Sequence, residues 1–186
     1  MPTTIHLSLQ EYDDMVNAGA FDRFPRKIEL IRGELIEMNP AGPIHDDLIA
    51  YLTDWSADRR DRTKTMITSQ TGLDLPHQVS RPEPDLMWLR KDRYRQSHPT
   101  AVDVQLAIEV AYSSLAYDLE EKRHLYAEAG IVEYWIVDAE ASCIHVFTQP
   151  ERGDYQHREI FKVGELRAPS IAPDAKLDLQ DLFIGR

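Results

Sequence analysis

Apolar positions recur along this chain at two spacings, and the changes between them mark out its elements. VDVQLAIEVAY alternates, with Val102, Val104, Leu106, Ile108 and Val110 on one face, which predicts a strand, the fifth in chain order. Ahead of it, IELI and ELIEM are two short apolar runs broken by Arg32-Gly33 and predict a hairpin. MITSQTGLDLP and PDLMWLR predict a third and a fourth strand. Helical spacing appears in three places. Ser8 and Glu11 stand three apart before EYDDMVNAGAF, the arrangement of a capping box, and predict a first helix. Asp46-Asp47 introduce LIAYLTDWSADRR, where Leu48, Tyr51, Leu52 and Trp55 recur on one face of a second. SSLAYDLEEKRHLYAEAG predicts a third, capped by Ser113 or Ser114 and stopped by Gly130. EYWIVD, CIHVFTQ and YQHREIFKV then predict an antiparallel run of strands, and LDLQDLF closes the chain. With no internal repeat or Gly/Ser linker, this order predicts one α/β domain over residues 1–186, a sheet covered by helices.

Composition narrows the function classes. The 186 residues suit one domain on the usual scale of about 100–200 residues each. A content of 42% hydrophobic and 28% charged residues is that of an ordinary folded chain. MPTTIHLSLQEYDD has neither a basic start nor an apolar core, and no run reaches the roughly 18 apolar residues of a membrane span, so a cytoplasmic protein is expected. The single cysteine, Cys143, excludes an intramolecular disulfide and a thiolate cage and suggests core packing. The seven histidines form no H-x-x-x-H pair, which argues against zinc, and no G-x-S-x-G or phosphate-binding glycine loop is present. A net charge of −11 opposes broad attraction to nucleic acid. Two local basic runs work the other way: Arg59, Arg60, Arg62 and Lys64, and Arg90, Lys91, Arg93 and Arg95. Each is equally well a solvated surface run.

Three residues carry candidate chemistry. Glu109 lies opposite the apolar stripe of its strand, where solvation would be the plain expectation, yet LAIEVAY surrounds it with small and apolar residues, and a carboxylate there needs a partner or a cation. Asp85 follows Pro84 and opens DLMWLR; alone it would be a turn residue. Paired, an Asp entering one strand and a Glu on the next can converge on a hard divalent cation with open water positions, which suits Mg²⁺. Lys122 interrupts the stripe of Leu115, Leu119, Tyr126 and Ala129 on the third helix. Either its stem packs and its ammonium escapes to water beside Asp118, or the ammonium points at the acidic pair.

These residues sit in PEPDLMWL and LAIEVAYSSLAYDLEEKRHLYAEAGIVEYWIVD, preceded by GELIEMNPAGPIHDDLI. The succession resembles the Uma-two family of restriction-endonuclease-like proteins, within the PD-(D/E)XK superfamily, from about Leu30 to Asp138 and, by extension, over the whole chain. The resemblance implies a restriction-endonuclease-like mixed sheet flanked by helices, with Asp85 and Glu109 as metal ligands joined by the carbonyl of Val110. The superfamily's lysine two positions after the Glu is missing here, since Glu109-Val110-Ala111 holds none, and the resemblance implies that Lys122 replaces it. It also adds His45 of GPIHDDL and Glu34 of GEL to the site. The function implied is hydrolysis of DNA phosphodiesters with Mg²⁺ or Mn²⁺, by a protein with no membrane partner and free to form a homodimer. The rival is the same fold with an unproductive site, serving as a nucleic-acid- or protein-binding module, which the net charge of −11 favours.

Overall fold

The computed structural model describes residues 4–40 and 42–185. Ser8 and Glu11 cap each other as their spacing requires, and the helix they open, α1, runs Leu9–Asn17. The hairpin follows as β1 (Ile28–Ile31) and β2 (Glu34–Glu37), paired antiparallel around Arg32-Gly33. Helix α2 spans Pro43–Arg59 and so starts before the expected Asp46, because a proline at the first helical position has its fixed φ already suited to the helix.

Six strands make the central sheet, in the order β3-β4-β5-β6-β7-β8. They are β3 (Thr65–Thr68), β4 (Leu86–Arg90), β5 (Val104–Ala111), β6 (Glu133–Asp138), β7 (Cys143–Glu151) and β8 (Asp154–Lys162). All neighbours are antiparallel except β5 and β6. A parallel pair needs a crossover, and here a helix over 115–129, named α3, supplies it and covers one face of the sheet. It comprises a short α-turn, Leu115–Tyr117, a π-helical stretch, Asp118–Lys122, and an α-helical end, Arg123–Ala129, closed by Gly130 at φ 82°. The remaining elements are β9 (Leu166–Arg167), β10 (Leu177–Asp178) and α4 (Leu179–Ile184).

Each face of the sheet has its own core. Against α2 and α4 pack Leu48, Leu52, Trp55, Trp88, Ile108, Trp135, Val137 and Leu182. Against α3 and the hairpin pack Ile31, Met87, Ala107, Leu125, Tyr126, Tyr134, Ile136 and Phe147. The alternation of β5 therefore separates two buried faces, as in a sheet roofed by helices on both sides, and no face is solvated. Two strand expectations need correction. The third strand stops at Thr68, and beyond it the chain makes only isolated bridges, at Asp74 and Leu75. Val102 lies outside the fifth strand and is 76% exposed, because Thr100 and Asp103 cap a 3-10 turn over Ala101–Asp103. No helix among the described residues is long and apolar enough to cross a membrane.

Candidate active site

Asp85 and Glu109 meet at the end of the sheet where β4 begins and β5 nears its close. Asp85 Oδ2 accepts the Val110 N–H at 2.8 Å, so the side chain of one strand's first residue ties directly to the backbone of the next. A strand residue's N–H and C=O project to the same side, so the Val110 carbonyl also faces this way. Continuing the Leu86↔Ile108 register puts Pro84 opposite it, and proline has no N–H to donate. His45, in the first turns of α2, brings Nε2 to 3.3 Å from Asp85 Oδ2. These residues line one cleft of about 680 Å³, together with Glu29, Asp118 and Lys122.

Lys122 does not reach for water. It is 2% exposed, and its Nζ donates to Glu109 Oε1 at 2.8 Å and lies 3.6 Å from Glu29 Oε2. Tyr126, one turn on, donates its hydroxyl to the same Oε1 at 2.7 Å. The stripe turned Lys122 inward, as its spacing predicts, and the π-helical stretch then wraps Asp118 and Lys122 through one wide turn. π-bulges of this kind gather at functional sites. Asp118 is held by the Ser114 hydroxyl at 2.6 Å and is 2% exposed.

Glu29 is the residue that sequence reasoning missed. It lies fully buried on β1, and neither carboxylate oxygen has a hydrogen-bond partner among the described residues, although the ammonium groups of Lys27 and Lys122 stand 3.0 and 3.6 Å away. The signal was available, since a charged residue inside IELI raises the same question as Glu109 inside LAIEVAY. Glu34 was the hairpin residue expected in the site. Its side chain is half exposed, 3.9 Å from His6, and does not line the cleft; the hairpin turns Glu29 inward instead.

The electrostatics follow from this crowding. Among the described residues, Glu29, Asp85, Glu109 and Asp118 are all buried, against one buried ammonium, Lys122. Burial pushes the Glu109 carboxyl up to about 8, with Lys122 pulling it down and the neighbouring carboxylates adding to the rise. Burial likewise raises Asp118. Burial acts to raise Asp85 too, but the bonds from His45 and the Val110 N–H outweigh it and hold the carboxyl below its usual range. Burial alone would lower Lys122; Glu109, Glu29 and Asp118 overcome it and keep the ammonium charged. The bond to Asp85 raises His45. A divalent cation fits a pocket with this excess of negative charge and hard oxygen donors.

Comparison with known proteins gives the family. The model of the Uma2 family, described as "Putative restriction endonuclease", matches residues 9–180. The chain belongs to the Uma2 family. Its fold is similar to the crystal structure of a nuclease, titled putative and assigned to DUF820, from Anabaena variabilis. That likeness has a TM-score of 0.74 at 15% identity and covers 96% of this chain and 98% of the other. No curated protein matches. In this Uma2 protein the position two after Glu109 is Ala111, and the ammonium at Glu109 comes from α3 instead. The two basic runs, separate in sequence, adjoin in the fold: Thr65 pairs with Arg90, and the Lys91 N–H donates to the Lys64 carbonyl at 2.8 Å. They meet at the end of β4 opposite Asp85, about 17 Å away at roughly 3.4 Å per strand residue.

Proposed function

We propose that this Uma2 protein is a single-domain, metal-dependent endonuclease that hydrolyses DNA phosphodiesters. The observation that carries the reading is the cleft in which four buried carboxylates face a single buried lysine. Asp85, Glu109 and the Val110 carbonyl would hold Mg²⁺ or Mn²⁺. When bound, such an ion supplies an activated water and a counter-charge for the phosphate oxygen. The protein's own groups do the positioning. His45 and the Val110 N–H both engage Asp85 Oδ2, which leaves Oδ1 for the cation. Both hydrogen bonds to Glu109 fall on Oε1, which leaves Oε2. Lys122, fixed by Glu109 and Glu29 in place of the lysine absent at Ala111, gives a preorganised positive charge toward the phosphoryl oxygens. His45 is placed to carry a proton at the cleft wall.

DNA as substrate is supported by the joined basic runs, which make a local phosphate-binding surface on an acidic protein. The net charge of −11 favours a second reading, a binding module of the same fold. Supercoiled and linear DNA incubated with Mg²⁺, Mn²⁺ or EDTA, beside the Asp85→Asn protein, separates the two. Metal-dependent cleavage lost in Asp85→Asn supports the nuclease. A wild type that binds DNA but never cleaves with any metal supports the module.

A further inference from the structure

A second group of metal-ligating side chains stands apart from the cleft, at the turn joining β6 to β7. Asp138 ends β6, and Cys143 opens β7 directly opposite it in the antiparallel register. His145 follows two residues later on the same face of β7. One ligand atom from each of Asp138, Cys143 and His145 lies within 4.8 Å of the other two. Nε2 is 3.7 Å from the sulfur and 3.8 Å from the carboxylate oxygen. All three residues are buried but retain 5–7% exposure, so they lie just beneath the surface. Among the described residues, no other set of three His, Cys, Asp or Glu side chains converges in this way.

The supporting contacts are specific. Asp138 Oδ1 accepts the Ala141 N–H at 2.9 Å, which fixes the carboxylate and leaves Oδ2 for a ligand. On the other side of the imidazole, Arg158 Nη2 lies 2.9 Å from Nδ1. A guanidinium only donates, so Nδ1 presents its lone pair and the ring proton sits on Nε2, inside the triad. With its Nδ1 lone pair turned to Arg158 the ring is neutral, so an ion has no second proton to displace. Without an ion the cluster holds a thiol, the ordinary form of a cysteine at neutral pH, and a neutral ring beside one carboxylate, with Lys162 opposite Cys143 on β8 and Arg158 at the ring as the adjoining charges.

We propose that Asp138, Cys143 and His145 form a binding site for a borderline-soft divalent ion of the Zn²⁺ class, latched by Arg158. One sulfur, one nitrogen and one oxygen with a fourth position open to water suit such an ion and not Mg²⁺. Binding removes the Cys143 proton to solvent, and the thiolate and the Asp138 carboxylate then neutralise the ion. The ion takes the Nε2 lone pair and the ring proton passes to Nδ1. Two donors would then face each other at Nδ1, so Arg158 must swing away. Uptake therefore releases one proton and opens one guanidinium contact. The bound ion ties β6 to β7 across their turn, independently of any chemistry in the cleft.

Titration of the full chain with Co²⁺, in excess Mg²⁺ to occupy the acidic cleft, tests this. The expected result is a sulfur-to-cobalt charge-transfer band that saturates at one ion, releases one proton and is bleached by Zn²⁺. Cys143→Ser should abolish the band, and His145→Gln and Asp138→Asn should each weaken binding about tenfold or more. Arg158→Gln, whose amide oxygen can accept from Nδ1–H, should tighten binding by on the order of tenfold, the usual scale for a partner outside the ligand set. A wild type without the sulfur band overturns the proposal, as does Co²⁺ affinity unchanged in Cys143→Ser. If Arg158→Gln binds no tighter than wild type, the latch is wrong.

Discussion

Two glutamates on the neighbouring parallel strands β5 and β6 are both buried, and they serve opposite ends. Glu133 is 1% exposed and has a donor for each oxygen: Trp135 Nε1 and Arg167 Nη2 on Oε1, each at 2.8 Å, and the Ser170 N–H on Oε2 at 2.7 Å. Glu109 is 4% exposed and, among the described residues, accepts only on Oε1, while three other buried carboxylates crowd it. A carboxylate that fixed donors saturate is part of the scaffold. One with a spare oxygen in a negatively charged cleft is at odds with its surroundings until a cation arrives. Equal burial therefore says little about function; the hydrogen-bond inventory of each oxygen says more.

Substitution separates the two most sharply. Glu109→Gln should abolish Mn²⁺ binding, read by calorimetry, together with cleavage, and leave the fold intact by circular dichroism. Unchanged Mn²⁺ affinity would remove Glu109 from the ligand set. Next in size is Lys122→Met, which keeps the packing of the stem; turnover should fall by a factor of order 10²–10³, as for loss of one preorganised donor, with Mn²⁺ affinity little altered. Turnover equal to wild type would reduce Lys122 to a charge-balancing role.

Glu133→Ala should leave metal binding untouched but cost about 3 kcal/mol of stability, since it strands Arg167 against the core. The denaturant midpoint measures this, and a cost under about 0.5 kcal/mol would mean that Glu133 is no scaffold residue.

A further expected effect is on pH dependence. Glu109 titrates near 8 in the fold against about 4.5 unfolded, so between those values the folded state holds the extra proton. Stability in EDTA should therefore fall as pH rises from about 5 to 8. A saturating divalent cation should offset the loss, and Glu109→Gln should flatten the slope. Thermal melts at stepped pH decide it: a slope unchanged in Glu109→Gln would trace the effect to another group.

Much of this was legible in the sequence, because it depends on periodicity. Alternation in LAIEVAY put Glu109 on β5, the PD step put Asp85 at the start of β4, and the four-three spacing of Leu115, Leu119, Lys122 and Tyr126 turned the lysine inward. Such patterns are local, set by 3.6 residues per helical turn and two per strand repeat. They fix which residues share a face and leave open what covers that face. The tertiary structure decided that both faces of β5 are roofed, that the hairpin offers Glu29 and not Glu34 to the cleft, and that Thr65 and Arg90 join two distant basic runs. It also brought Asp138 across from Cys143 and His145, which no helical H-x-x-x-H spacing could signal, because strand partners meet through register and not through separation along the chain.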